Sequence, residues 1–194
     1  MFDICNKIAY DDKMIFAVSP SKSVISDILG NSRWINVEDN NNKKGKHESK
    51  AEFDVLYQLL KSILNKPNSK ELLEQIYVIT MYKSFKLYIQ KNIKDKISNL
   101  TKDQKLPEYI KDFCNRNIGT IHSFQGKEAD TVIMLLGAQR PGDVGTRTIM
   151  TDKPNVLNVG ISRAKNNLYV IGNLEIWLKH KYMKEIYNML GDQT

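Results

Sequence analysis

Short apolar runs rich in β-branched residues recur at residues 14–18, 33–37, 76–80, 118–121, 131–136 and 168–171, and each has the length and makeup of a strand. Between them the apolar residues fall at helical spacing. Residues 52–64 place Phe53, Leu56, Leu59, Leu60, Ile63 and Leu64 on one face, and 83–100 repeats the pattern with Phe85, Tyr88, Ile89, Ile93 and Ile97. Val156, Leu157, Ile161 and Ala164 suit a further helix packed on a sheet. Strands alternating with helices predict right-handed crossovers and a parallel sheet covered on both faces, an α/β layered domain. Residues 38–46 are polar without periodicity and read as an exposed loop. Residues 100–115 read as a connector with some helix. Residues 137–154 hold three of the ten glycines and two of the five prolines, which predicts a long loop of the kind that often carries function. No repeat or composition break divides the chain, so residues 1–194 read as a single domain.

Composition narrows the classes. A chain of 194 residues, 41% hydrophobic, can bury one core. No stretch approaches the roughly 20 apolar residues that span a bilayer, and the first residues lack a secretory layout, so no membrane partner is expected. Cys5 and Cys114 are far apart in sequence, which points to reduced thiols and a cytoplasmic protein. His47, His122 and His180 have no metal-ligand spacing, and no metal site is assigned to the chain. The net charge of +7 is compatible with nucleic acid and equally with plain solubility.

Two segments carry candidate chemistry. In residues 118–134 an apolar strand runs into small and polar residues, then Gly126, then Glu128, then a second strand. Ligands gather beyond the carboxyl ends of strands in open parallel sheets. There Thr120 and Ser123 can hydrogen-bond phosphate oxygens, Gln125 offers a neutral donor and acceptor, Gly126 admits close backbone approach, and Glu128 can accept from sugar hydroxyls. A plain glycine turn between two core strands explains the same spacing. In residues 155–173 Arg163 and Lys165 lie near the end of a helix that feeds a strand. An arginine there can reach a phosphate with its planar fork; a pair of basic residues capping a helix is the simpler alternative.

The sequence Thr120-Ile-His-Ser-Phe-Gln-Gly-Lys-Glu-Ala-Asp130 resembles motif V of superfamily 1 helicases of the Upf-like branch, roughly T-V-x-S-F-Q-G-x-E-x-D. Leu157-Asn-Val-Gly-Ile-Ser-Arg-Ala-Lys165 resembles their motif VI, roughly L-N-V-A-x-[ST]-R-A-K. Residues 76–83 are similar to the family's I-x-V-I-T-P-Y-K, and residues 2–10 resemble the stretch just after its motif IV. The resemblance implies the second, C-terminal RecA-like domain of such a helicase, a parallel-sheet, three-layer fold of the P-loop NTPase type without the phosphate loop. It implies that Arg163 is an arginine finger for ATP, with Gln125, Gly126, Glu128 and Lys165 around the nucleotide. It also implies that Thr80, Lys83, Thr120, His122 and Ser123 lie near single-stranded DNA or RNA.

Departures and gaps bound that expectation. Met81 replaces the usual proline, Phe85 stands where glutamine is common, and Gly160 replaces a common alanine. No GxxxxGK[ST] loop and no Asp-Glu pair occur. ATP and its Mg2+ are therefore expected to be held mainly by a separate N-terminal RecA-like domain of the same protein, and the chain alone is expected not to hydrolyse ATP. It reads as part of a larger protein; the alternative is a catalytically inactive nucleic-acid-binding or protein-interaction module. The motor reading requires Arg163 and the 125–128 turn to line one rim of one sheet.

Overall fold

The computed structural model describes residues 2–9, 23–39, 47–100, 105–151 and 154–191. The strand expected at 14–18 and residues 40–46 of the loop expected at 38–46 lie outside these residues. Among the described residues five strands form one sheet: β1 (Arg33–Asn36), β2 (Ile76–Thr80), β3 (Ile118–Thr120), β4 (Ala129–Leu135) and β5 (Ala164–Gly172). Their order is β1-β5-β4-β2-β3 and every pairing is parallel. Thr131 to Leu135 and Leu168 to Gly172 are buried throughout, as strands covered on both faces must be. The α/β parallel-sheet architecture expected of a RecA-like domain is thus observed.

The chain steps outward from β1 to β2 to β3 along one face and returns through β4 and β5 along the other. On the outward face pack α2 (Val24–Leu29), α3 (Lys50–Leu64), α4 (Ser69–Glu74), α5 (Lys83–Ser98) and α6 (Glu108–Arg116). On the return face pack α1 (Phe2–Ala9), a 3-10 turn (Ile121–Phe124), α7 (Val144–Thr151), α8 (Pro154–Ile161) and α10 (Lys181–Leu190), with the short α9 (Leu174–Trp177) after β5. In α3 the core side is Phe53, Leu56, Leu60 and Ile63; in α5 it is Phe85, Ile89, Ile93 and Ile97. Leu59, Leu64 and Tyr88 are half-buried at the edges of those stripes. Ser49 caps α3, its hydroxyl accepting from the Glu52 N–H at 3.2 Å. The indole N–H of Trp34 donates to the Gly172 carbonyl at 3.0 Å and pins β1 to β5.

Three expectations change. The long loop at 137–154 contains a second 3-10 turn (Pro141–Asp143) and α7. Arg147 shapes it from within, donating to the carbonyls of Ala138 at 2.5 Å and Arg140 at 2.8 Å. The helix expected to reach Ala164 stops at Ile161, and Ala164 opens β5 by pairing with Ala129. Strand β5 starts four residues before Leu168. Its polar Asn166 and Asn167 mask the strand in the sequence, yet both donate to side chains of β4.

Candidate functional site

Strands β4 and β5 begin side by side, and the turns that feed them meet at this amino-terminal rim. The Ala129 N–H donates to the Arg163 carbonyl at 2.9 Å. The half-buried Arg163 guanidinium reaches the other way. Its Nη1 donates to the carbonyls of Lys127 at 2.9 Å and Phe124 at 3.4 Å, its Nε to the Val159 carbonyl at 2.9 Å, and its Nη2 to Ser162 Oγ at 2.8 Å. Among the described residues these acceptors are all neutral oxygens, which an incoming anion can outcompete. Gln125, Gly126 and Glu128 are exposed, and Lys165 Nζ faces the Glu128 carboxylate at 3.5 Å. Gly126 has φ of 78°, a conformation that side chains rarely adopt, with open space where a Cβ would stand. Gln125, Gly126, Glu128, Arg163 and Lys165 therefore share one rim.

Asp130, which the sequence alone does not single out, holds this rim together. Its carboxylate accepts from Ser23 Oγ at 2.5 Å, Thr131 Oγ1 at 2.9 Å, Asn166 Nδ2 at 2.6 Å and Asn167 Nδ2 at 3.4 Å. It sits at the register irregularity between Ala129 and Thr131, tying β4, β5 and the start of α2. An acidic residue opening an otherwise apolar strand is the signal that marks it.

The remaining candidates lie at the opposite rim. Thr80 is level with Thr120 and Leu135 at the carboxyl ends of β2, β3 and β4. The expectation that the whole 120–128 segment lies beyond carboxyl ends is corrected here: Gly126 and Glu128 precede the first residue of β4, because the chain descends the return face between Thr120 and Ala129. Lys83, His122 and Ser123 are exposed and Thr120 is half-buried. The Ser123 hydroxyl accepts from the Thr120 N–H at 3.2 Å and lies 3.1 Å from its Oγ1. Thr80 is 0% exposed, as its neighbours Met81 and Tyr82 are also buried, and its hydroxyl has no partner among the described residues. Thr80 thus offers no surface to a strand in this arrangement. Phe85, at the position where glutamine is common, is wholly buried and belongs to the core.

Glu52 is a wholly buried carboxylate on the apolar face of α3. Both its oxygens accept from the Gly137 N–H, at 2.9 and 3.1 Å, and Oε1 accepts from Gln139 Nε2 at 2.6 Å. Burial pushes its carboxyl up to about 8 against the pull of these donors. Its helical position four residues before Leu56 is the clue to that burial in the sequence. Burial also raises the free thiols Cys5 and Cys114 to about 11, so neither is a ready nucleophile. Among the described residues no group of three His, Cys, Asp or Glu side chains can hold a metal, and no helix is long and apolar enough to cross a membrane.

Several known proteins are similar to this chain. The profile of a family described as "AAA domain" matches residues 3–175. Regulator of nonsense transcripts 1 of Caenorhabditis elegans is 32% identical over 114 residues, 59% of this chain and 10% of that protein. NFX1-type zinc finger-containing protein 1 of Mus musculus is 29% identical over 86 residues, 44% of this chain and 4% of that protein. The chain therefore spans only a small part of the length of these two relatives. The C-terminal domain of a possible DNA helicase from Lactobacillus plantarum WCFS1 superposes with a TM-score of 0.49 at 14% identity, covering 97% of this chain and 91% of that one.

Proposed function

The chain belongs to the AAA domain family, and from that membership we propose that it is the C-terminal motor domain of an ATP-dependent superfamily 1 helicase acting on DNA or RNA. The resemblance of the chain to the Upf-like helicase C-terminal domain is borne out by the family match and by the likeness to the nematode regulator of nonsense transcripts 1. The observation that carries the functional reading is the shared rim, where the Arg163 guanidinium rests on the backbone of the turn that ends in Glu128.

In this reading an N-terminal RecA-like domain of the same protein holds ATP and Mg2+ against the rim. ATP supplies the phosphoryl group whose transfer to water drives the cycle. Arg163 exchanges its neutral carbonyl partners for phosphate oxygens and stabilises the charge spreading over them. Gln125 and Gly126 lie against the nucleotide, and Glu128, released from Lys165, accepts hydrogen bonds from the ribose. Lys165 is left to face the anion. At the opposite rim Lys83, Thr120, His122 and Ser123 grip the strand backbone, with Thr80 supporting them from beneath. The descent of the chain from Thr120 to Glu128 links grip to hydrolysis through one short segment.

The test uses the full-length protein. Arg163→Ala is expected to lower strand-stimulated ATP hydrolysis by about 10³ or more while ATP still binds. Normal turnover in that variant would overturn the assignment. The isolated chain is expected to hydrolyse no ATP.

A further inference from the structure

Beside the edge strand β3 lies a cavity of about 580 Å3 whose lining, apart from Ser123, has no role above. Tyr77 and Tyr109 line it, both half-buried. The Tyr77 ring is backed by the buried Phe124, with ring centroids 4.3 Å apart and planes 25° apart, so its plane is fixed. The walls carry Lys70, Lys86, Arg116 and Lys127 against Glu74 and Asp112. Arg116 engages Asp112 at 3.6 Å, whereas no carboxylate among the described residues pairs with Lys70, Lys86 or Lys127. At one end the cavity includes Ser123, the exposed hydroxyl of the carboxyl rim.

A fixed aromatic plane beside unpaired cations is the chemistry that receives a base and its phosphate. The volume falls within the range of small-ligand sites and exceeds what a buried water or ion needs. We propose that this cavity holds one nucleotide of a single strand, its base against Tyr77 and its phosphates against Lys70 and Lys86. The strand that passes Ser123 then turns down the β3 edge, and its path continues beyond the carboxyl rim. This rests on the strand-binding reading above, and it adds a place and a residue set to it.

The experiment measures binding of fluorescein-labelled oligodeoxythymidylate and oligouridylate to the chain by anisotropy across salt concentrations. Lys70→Glu combined with Lys86→Glu is expected to weaken binding and to flatten the salt dependence by about 0.7 in log–log slope for each phosphate no longer neutralised. Tyr77→Leu is expected to weaken binding about tenfold with the slope unchanged, the signature of a missing base stack. Circular dichroism of each variant guards against misfolding, and the surface lysine pair keeps the test valid should Tyr77→Leu unfold. Wild-type affinity and slope in both variants, with binding abolished in Ser123→Ala, would overturn this inference while leaving the helicase reading intact. No strand binding by the parent chain even at low salt would overturn this inference, and the same result with the full-length protein would also remove the helicase reading on which it rests. Displacement of the oligonucleotide by AMP, abolished by the same substitutions, would reassign the cavity to a free nucleotide and overturn the strand path.

Discussion

The Arg163 guanidinium donates to the backbone carbonyl of Lys127 at 2.9 Å, so the turn before β5 grips the turn before β4. The bond is side chain to backbone and ignores what side chain stands at 127. It makes the arginine a structural part of the rim before it is anything else. Its removal leaves the carbonyls of Lys127 and Val159 without this donor, though both lie close enough to solvent for water to compensate in part. Arg163→Ala is expected to cost the chain about 1–2 kcal/mol in urea denaturation. A loss above about 4 kcal/mol would mean that its effect on turnover reports unfolding.

Asp130 is the stronger structural joint. Its four donors come from α2's cap residue, from β4 and from β5. In Asp130→Ala, Asn167 and Thr131 retain each other at 3.2 Å, but the bonds from Ser23 and Asn166 to this carboxylate are lost. Destabilisation by about 2–3 kcal/mol is expected, since these bonds are made to a charged group. A change under about 0.5 kcal/mol would show that water replaces the carboxylate freely.

The middle of the sheet is legible in the sequence because β2, β4 and β5 are largely buried and so write themselves as apolar runs. Ile76–Thr80 emerges with the expected bounds. Strand β5 reads too short because Asn166 and Asn167 look like loop, and only their partner Asp130, far away in sequence, makes them strand. The residues of the amino-terminal rim are legible because charge and glycine interrupt apolar runs there. Their rim is misplaced by the sequence, since residue order does not reveal that the chain descends a face before starting β4. The donors that meet Glu52 and the β3-edge cavity are illegible for the same reason: both are made by distant segments meeting in space.

Glu52 gives a pH signature with a definite sign. Its folded-state carboxyl is raised by burial from the ordinary 4.5 to about 8. Folding therefore favours the protonated form, and this contribution is complete below about pH 4.5 and fades as pH rises through about 8. The melting temperature of the parent chain is expected to fall across that window relative to Glu52→Gln, which cannot ionise. Parallel curves for the two proteins between those limits would contradict the assignment.

Gly160 stands in α8 where the resembled motif pattern has alanine, and a neighbour in β4 crowds that position. A Cβ built at Gly160 would come within 2.7 Å of the Met134 Cε and 3.5 Å of the Ile121 Cγ1. The nearer atom is the tip of a flexible side chain, so crowding is relieved by bending Met134 and not by moving the helix. Alanine in a helix interior gains about 1 kcal/mol over glycine, and overpacking a core costs about 1–3 kcal/mol. Gly160→Ala alone is therefore expected to lower stability by at most about 2 kcal/mol, the two effects partly offsetting. With Met134→Val already in place the crowding is gone, and the same change should raise stability by about 1 kcal/mol. The two substitutions should thus couple by about 1 kcal/mol or more in a double-mutant cycle. Strict additivity would mean that Met134 does not decide the residue at 160, and that the glycine answers to something else on the return face.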